Sequence, residues 1–150
     1  MQSNHYGRFL VMITLHLIAM YVFMYAMVND FGNVFNNFNQ VYMAALMTAS
    51  MVLIELPLMM EMYKSKKLNT IIIAVGLVVL VGSLLLIRKQ GAISDRQFLR
   101  SMIPHHAGAI LMCEEASIAD TEIKELCKSI ITSQQAEIDQ MKAKLEQMTR

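Results

Sequence analysis

The chain reads as an all-α protein in two parts: three transmembrane helices, then an extracytoplasmic antiparallel hairpin amounting to half of a four-helix bundle. Two observations lead there. The apolar residues, 55% of the 150, are gathered into three long runs almost free of charge, and the last sixty residues carry helix-start signals followed by an apolar stripe at helical spacing. The expected boundary falls at 89/90, with residues 1–89 in the membrane domain and 90–150 in the hairpin.

The first run, FLVMITLHLIAMYVFMYAMV at 9–28, has no formal charge and is long enough to cross a hydrocarbon core of roughly 30 Å as a helix. It exceeds the roughly 7 to 15 apolar residues of a secretory signal, and no small-x-small cleavage site follows, so a permanent anchor is expected. The second run, 41–60, carries one charge at Glu55, and the third, 70–87, carries none. Basic residues set the orientation. Arg8 precedes the first run, the first loop NDFGNVFNNFNQ has no Lys or Arg, and the second loop contains KSKK at Lys64 to Lys67. The N-terminus and second loop are therefore expected in the cytoplasm and the tail outside, although Arg88 and Lys89 pull weakly the other way. In a bacterium this means the inner (cytoplasmic) membrane, with the hairpin in the periplasm.

A formal net charge of +1 and the lack of any large basic cluster argue against a nucleic-acid partner. There is no glycine-rich phosphate loop and no repeat of fixed period.

In the tail, Ser94-Asp95-Arg96-Gln97 fits a capping box, so a helix should start there and run to about Ala116. Pro104 lies inside it, removing one backbone hydrogen bond and predicting a kink beside His105 and His106. A second start falls at Asp120-Thr121-Glu122, followed by Ile123, Cys127, Ile130, Ile131, Ile138, Met141, Leu145 and Met148 along one face. The short connection makes the two helices antiparallel. With the turn centred near residue 120, facing residues have numbers summing to about 240: Cys113 with Cys127, His106 with Gln134, Met102 with Ile138. At 100° per residue Met102, His105, His106, Ala109, Met112 and Cys113 share one face, taken as the inner one. Cys113 and Cys127 then form a disulfide or a closely spaced pair, with copper-ligating thiolates as the alternative. Two short helices enclose little core, so a second copy of the chain is expected to complete the bundle in a homo-oligomer, a dimer or larger.

The stretch FLRSMIPHHAGAILMCEEA, followed by IITSQQAEIDQM, resembles a bacterial family of ferritin-like domains marked by a Met-Ile-Pro-His-His helix and a later Gln-x-x-Glu-Ile-x-x-Met helix. The resemblance covers about residues 95–148. Characterised members of that family are extracytoplasmic copper-binding resistance proteins. By position, it implies Met102, His105, His106, Met112 and Met141 as metal ligands, with Gln134 and Glu137 beside them. This chain has one motif pair where fuller members repeat it, and three membrane helices precede the pair. Residue chemistry points the same way: thioether sulfur selects Cu(I) or Ag(I), whereas imidazole also accepts Zn. Neither a Cys/His zinc set nor the Glu-x-x-His pairs of a di-iron bundle is present. Adjacent helical residues point about 100° apart, so His105 and His106 converge on one ion only if Pro104 distorts the turn.

Methionine on an inward face is most often core filler, and that reading competes at every Met position. It applies equally to the ladders Met12, His16, Met20, Met24 in the first run and Met43, Met47, Met51, Glu55 in the second. Ionisable His16 and Glu55 inside spanning segments are costly, however, and such residues commonly mark an ion pathway. The sequence thus predicts a membrane-anchored Cu(I)- or Ag(I)-binding protein of metal homeostasis or resistance. The alternatives are a metal-free oligomerisation module and a metal transporter using the Met-rich membrane helices. No nucleophilic triad is spaced for catalysis, so an enzyme is not expected; cuprous oxidation or another metal-dependent redox step is left open.

Overall fold

The computed structural model describes residues 3–149. Among them are five α-helices and no strand: α1 Ser3–Phe23, α2 Phe38–Leu58, α3 Lys66–Lys89, α4 Asp95–Glu115 and α5 Thr121–Gln147, with one 3₁₀ turn at Phe31–Asn33 between α1 and α2. Side-chain caps start three of the helices. Ser65, Ser94 and Asp120 accept from the backbone N–H of Leu68, Gln97 and Ile123, satisfying donors that the first turn leaves free. At the end of α3, Gln90 takes the left-handed conformation at φ 50°, while Gln90 N–H and Gly91 N–H bond to the Ile87 and Leu86 carbonyls. Glycine comes one position later for a different reason: a Cβ on Gly91 would lie 2.6 Å from Leu86 Cδ2.

Two compact units emerge. One joins the chain up to Phe23 with Asn39–Ala92; the other joins Met24–Phe38 with the chain from Ile93 onward. In the first unit, three helices are long and apolar enough to cross a membrane: His5–Phe23, Phe38–Leu58 and Lys66–Lys89. The first span ends at Phe23 and not at Val28, because residues 24–28 turn away. Val28 N–H bonds back to the Tyr25 carbonyl, and the Tyr25 hydroxyl donates to the Phe35 carbonyl.

Small residues line part of the inside of this unit. Ala44, Thr48, Ala49, Val52 and Leu56 recur on the buried face of α2, and a Cβ on Gly76 of α3 would lie 3.0 Å from Leu53 Cδ2. Close backbone approach through small side chains is the usual device where lipid removes the hydrophobic drive between helices. At one end, Tyr63 is buried between Tyr6 and Phe9, ring centroids 5.2 and 5.1 Å away. The Tyr6 hydroxyl donates to Asn69 Oδ1 and accepts from Ser65 N–H, while Asn69 Nδ2 donates to the Tyr63 carbonyl. Burial pushes the Tyr63 phenol above the ordinary tyrosine range, and the nearby Glu55 and Tyr6 add to the rise.

In the second unit, α4 and α5 pair as an antiparallel hairpin around Ile103, Ala107, Ile110, Ile138 and Leu145, with Val28, Phe35, Leu99, Ile131 and Met141 packed against them. The α1–α2 connector supplies two of those residues and covers a side of α4. Pro104 has no N–H, so the Arg100 carbonyl four residues back lacks its helical partner. Buried Asn37 of the connector donates to it through Nδ2 at 3.4 Å, and α4 continues unbroken across the proline. A little further along, Gly108 lets the connector come close: a Cβ there would lie 3.4 Å from the Met27 carbonyl oxygen.

Candidate metal centre

The buried stripe of α4 is Ile103, His106, Ala107 and Ile110, the i, i+3, i+4, i+7 set, joined by Pro104 and Gly108 under the connector. This corrects the expected inner face. His106 lies inside, but His105 is exposed, Met112 is 54% exposed, and Met102 is half-buried. The reason is tertiary: α4 is covered by two partners, α5 and the connector, so its buried arc is centred away from His105 and Met112.

His106 has both ring nitrogens engaged. Nδ1 lies 2.9 Å from the Met102 carbonyl oxygen and Nε2 lies 2.7 Å from Glu137 Oε2 on α5. A carbonyl only accepts, so Nδ1 carries a hydrogen and the tautomer is set. Nε2 and the Glu137 carboxyl group then share one proton across the helix pair. The His106 side chain is 9% exposed and that of Glu137 53%, so the pair is a buried imidazole reached through a solvent-facing carboxylate.

The pairing also refines the register. His106 meets Glu137, one turn beyond the Gln134 expected opposite it. Helical side chains lean toward their own N-terminus, and the bond from His106 to the Met102 carbonyl shows the ring leaning that way, away from the interhelical turn. With facing numbers summing to 243 here, the next rung along the pair is Met102 opposite Met141. Met102 is one turn before His106 on α4, Met141 one turn after Glu137 on α5, and both are half-buried. Nearer the turn, Cys113 and Cys127 form a disulfide with Cα atoms 5.2 Å apart, which ties α4 to α5 beside the five-residue connection.

The other candidates lie apart from this rung. The ring of exposed His105 stands 6.2 Å from that of His106, edge to face, with no hydrogen bond of its own among the described residues. Gln134 is half-buried on α5. No group of three or more His, Cys, Asp or Glu side chains able to hold a metal is found among the described residues. In the first unit, Met12 and Met51 pack against the core of Phe9, Val52, Leu56 and Tyr63. His16, Met20 and Met43 are half-buried and Met47 is exposed. Glu55 sits in the last turn of α2, and no ion pair joins it to His16 among the described residues.

Sequence reasoning missed Asn37 and the connector as part of this region. One signal was available: a proline inside a helix orphans the carbonyl four residues earlier, and an orphan in a buried place needs a donor. Nothing in the sequence identified which residue would supply it.

An all-α chain with three spanning-length helices and a disulfide-tied hairpin is thus the class of protein. Residues 54–145 match a family described as "Domain of unknown function (DUF305)", a helical, ferritin-like family, and the chain belongs to it. It is also 35% identical over 121 residues to "Uncharacterized protein L153" of Acanthamoeba polyphaga mimivirus, covering 79% of this chain and 78% of that protein. No solved structure matches it.

Proposed function

We propose that this chain is a membrane-anchored protein that binds a soft monovalent ion, Cu(I) or Ag(I), in the hairpin, in the service of metal homeostasis or resistance. The observation that carries this reading is the orientation of His106. A metal-binding histidine characteristically gives one ring N–H to a backbone carbonyl or carboxylate, which sets the other nitrogen toward the ion. Here Nδ1 is held by the Met102 carbonyl, and Nε2 points across to Glu137 beside the Met102 and Met141 register positions. Two thioethers with one imidazole make a donor set that prefers Cu(I) or Ag(I) to Zn. The ion would take the place of the proton between Nε2 and Glu137, with Glu137 as a further donor or as the group that holds the ring.

The topology reading has support from the connector. Three crossings place the α1–α2 connector and the tail on one side of a membrane, and the connector packs on the hairpin. Read with the basic residues of the second loop, that side is the outside, and in a bacterium the inner membrane carries the protein. Exposed Met112, Ile123 and Leu126 on the hairpin supply apolar surface for a second copy to cover.

A second reading is a metal-free interaction module in which His106 and Glu137 are an interhelical latch, favoured by the complete satisfaction of His106 within the chain. Competition titration of the full-length protein with a colorimetric Cu(I) chelator separates the two. The metal reading expects one Cu(I) per chain with Kd below about 1 µM. Met102→Leu with Met141→Leu should abolish this and leave helicity intact, since thioether and isobutyl side chains have similar volume. Absence of binding by the wild-type chain leaves the latch.

A further inference from the structure

We propose that the pocket between the start of α4 and the end of α5 holds the phosphate head group of an anionic phospholipid. The pocket, about 300 Å³, is lined by Arg96 and Arg100 from α4, Lys142 and Glu146 from α5, Phe35 from the connector, and Leu145. Three cations thus converge around a single carboxylate. None of the three forms an ion pair among the described residues. Arg100 Nε is buried with no hydrogen-bond partner, so nothing within the chain offsets the charge that this guanidinium brings to the pocket wall.

An anion is therefore the missing partner, and the walls say what kind. Phe35 and Leu145 give the pocket an apolar side, which inorganic phosphate does not use and a glycerophospholipid does. Beside it, the connector presents Phe31 with 95% of its surface exposed, in a 3₁₀ turn held by Asp30 Oδ1 on Gly32 N–H at 2.7 Å. A Cβ on Gly32 would lie 4.0 Å from Lys142 Nζ, so the turn that carries Phe31 runs beside the cation. Basic residues beside an exposed aromatic suit an anionic lipid surface.

This inference is independent of the metal reading, since its residues lie outside the His106 rung. Native mass spectrometry of the full-length protein in a neutral detergent tests it, with phosphatidylglycerol, phosphatidylcholine and inorganic phosphate as probes. One phosphatidylglycerol per chain should be retained in preference to phosphatidylcholine, and excess inorganic phosphate should not displace it. Arg96→Gln and Lys142→Gln should each weaken retention about fivefold, while Arg96→Lys keeps most of it. Arg100 is left in place because its backbone and side chain are partly buried, and circular dichroism checks that the variants stay helical. Equal retention of the two lipids, displacement by inorganic phosphate, or unchanged retention in a folded Arg96→Gln/Lys142→Gln variant would each overturn the proposal.

Discussion

In α3, Val78 is 72% exposed while Gly76 and Ser83 are buried; in the hairpin, Ile103 and Ile138 have no exposed surface while Lys128 and Glu125 pair on the outside. The two regions spend their apolar residues in opposite directions. A helix long and apolar enough to span can turn large side chains such as Val78 outward to hydrocarbon while small ones permit helix contact, even though Phe9, Leu56 and Tyr63 pack inside the same unit. In the hairpin the same residue types go inside, the pattern that water as solvent dictates. The contrast also tells where a polar group is informative: His106, buried in the hairpin, must be paired, and its pairing exposes the site.

The largest expected effect sets these regions directly against each other. Ile138→Ala should destabilise the hairpin by about 2–5 kcal/mol, by lost burial plus a cavity. Val78→Ala, on the outer face of α3, should change stability by less than about 0.5 kcal/mol in detergent. Chemical denaturation followed by circular dichroism reads both, and equal costs would break the comparison. Next in size, Cys127→Ser opens the link across a sequence separation of 14, with an expected loss of about 3 kcal/mol confined to the hairpin. Protease accessibility of the tail, with the spanning helices as internal reference, would show whether the loss is so confined.

The smallest effect sharpens the comparison from the membrane side. Because the folded Tyr63 phenol is raised above its unfolded value, its contribution to stability is complete below about pH 10 and is lost as pH rises through the folded value. Tyr63→Phe should flatten that alkaline decline in the first unit and leave the hairpin unaffected. Thermal unfolding of wild type and variant across alkaline pH checks the sign.

Much of this architecture was legible in the residues. Ser94 and Asp120 mark the two hairpin helix starts, because a side-chain oxygen at the N-cap satisfies a donor locally. Cys113 and Cys127 were placed opposite each other by counting from the turn, since errors of register are small near a short connection. Further out, counting failed by one turn at His106, where side-chain lean rather than Cα level decides the partner. The inner face was misjudged at His105 and Met112 because a projection treats α4 as packed on one side, whereas the connector covers a second. Likewise, no basic cluster large enough for a phosphate-binding surface was visible along the chain, yet Arg96, Arg100 and Lys142 meet in one pocket.

Hydrophobic run length, capping residues and helical periodicity are local quantities, and they alone establish an all-α chain with three spanning-length helices, a two-helix tail and a sulfur- and imidazole-rich motif. The partner of His106, the donor to the carbonyl orphaned by Pro104 and the convergence of three cations depend on residues far apart in the chain. They are decided only when α4, α5 and the connector pack, because a buried polar group takes whichever partner the packing brings within hydrogen-bond reach.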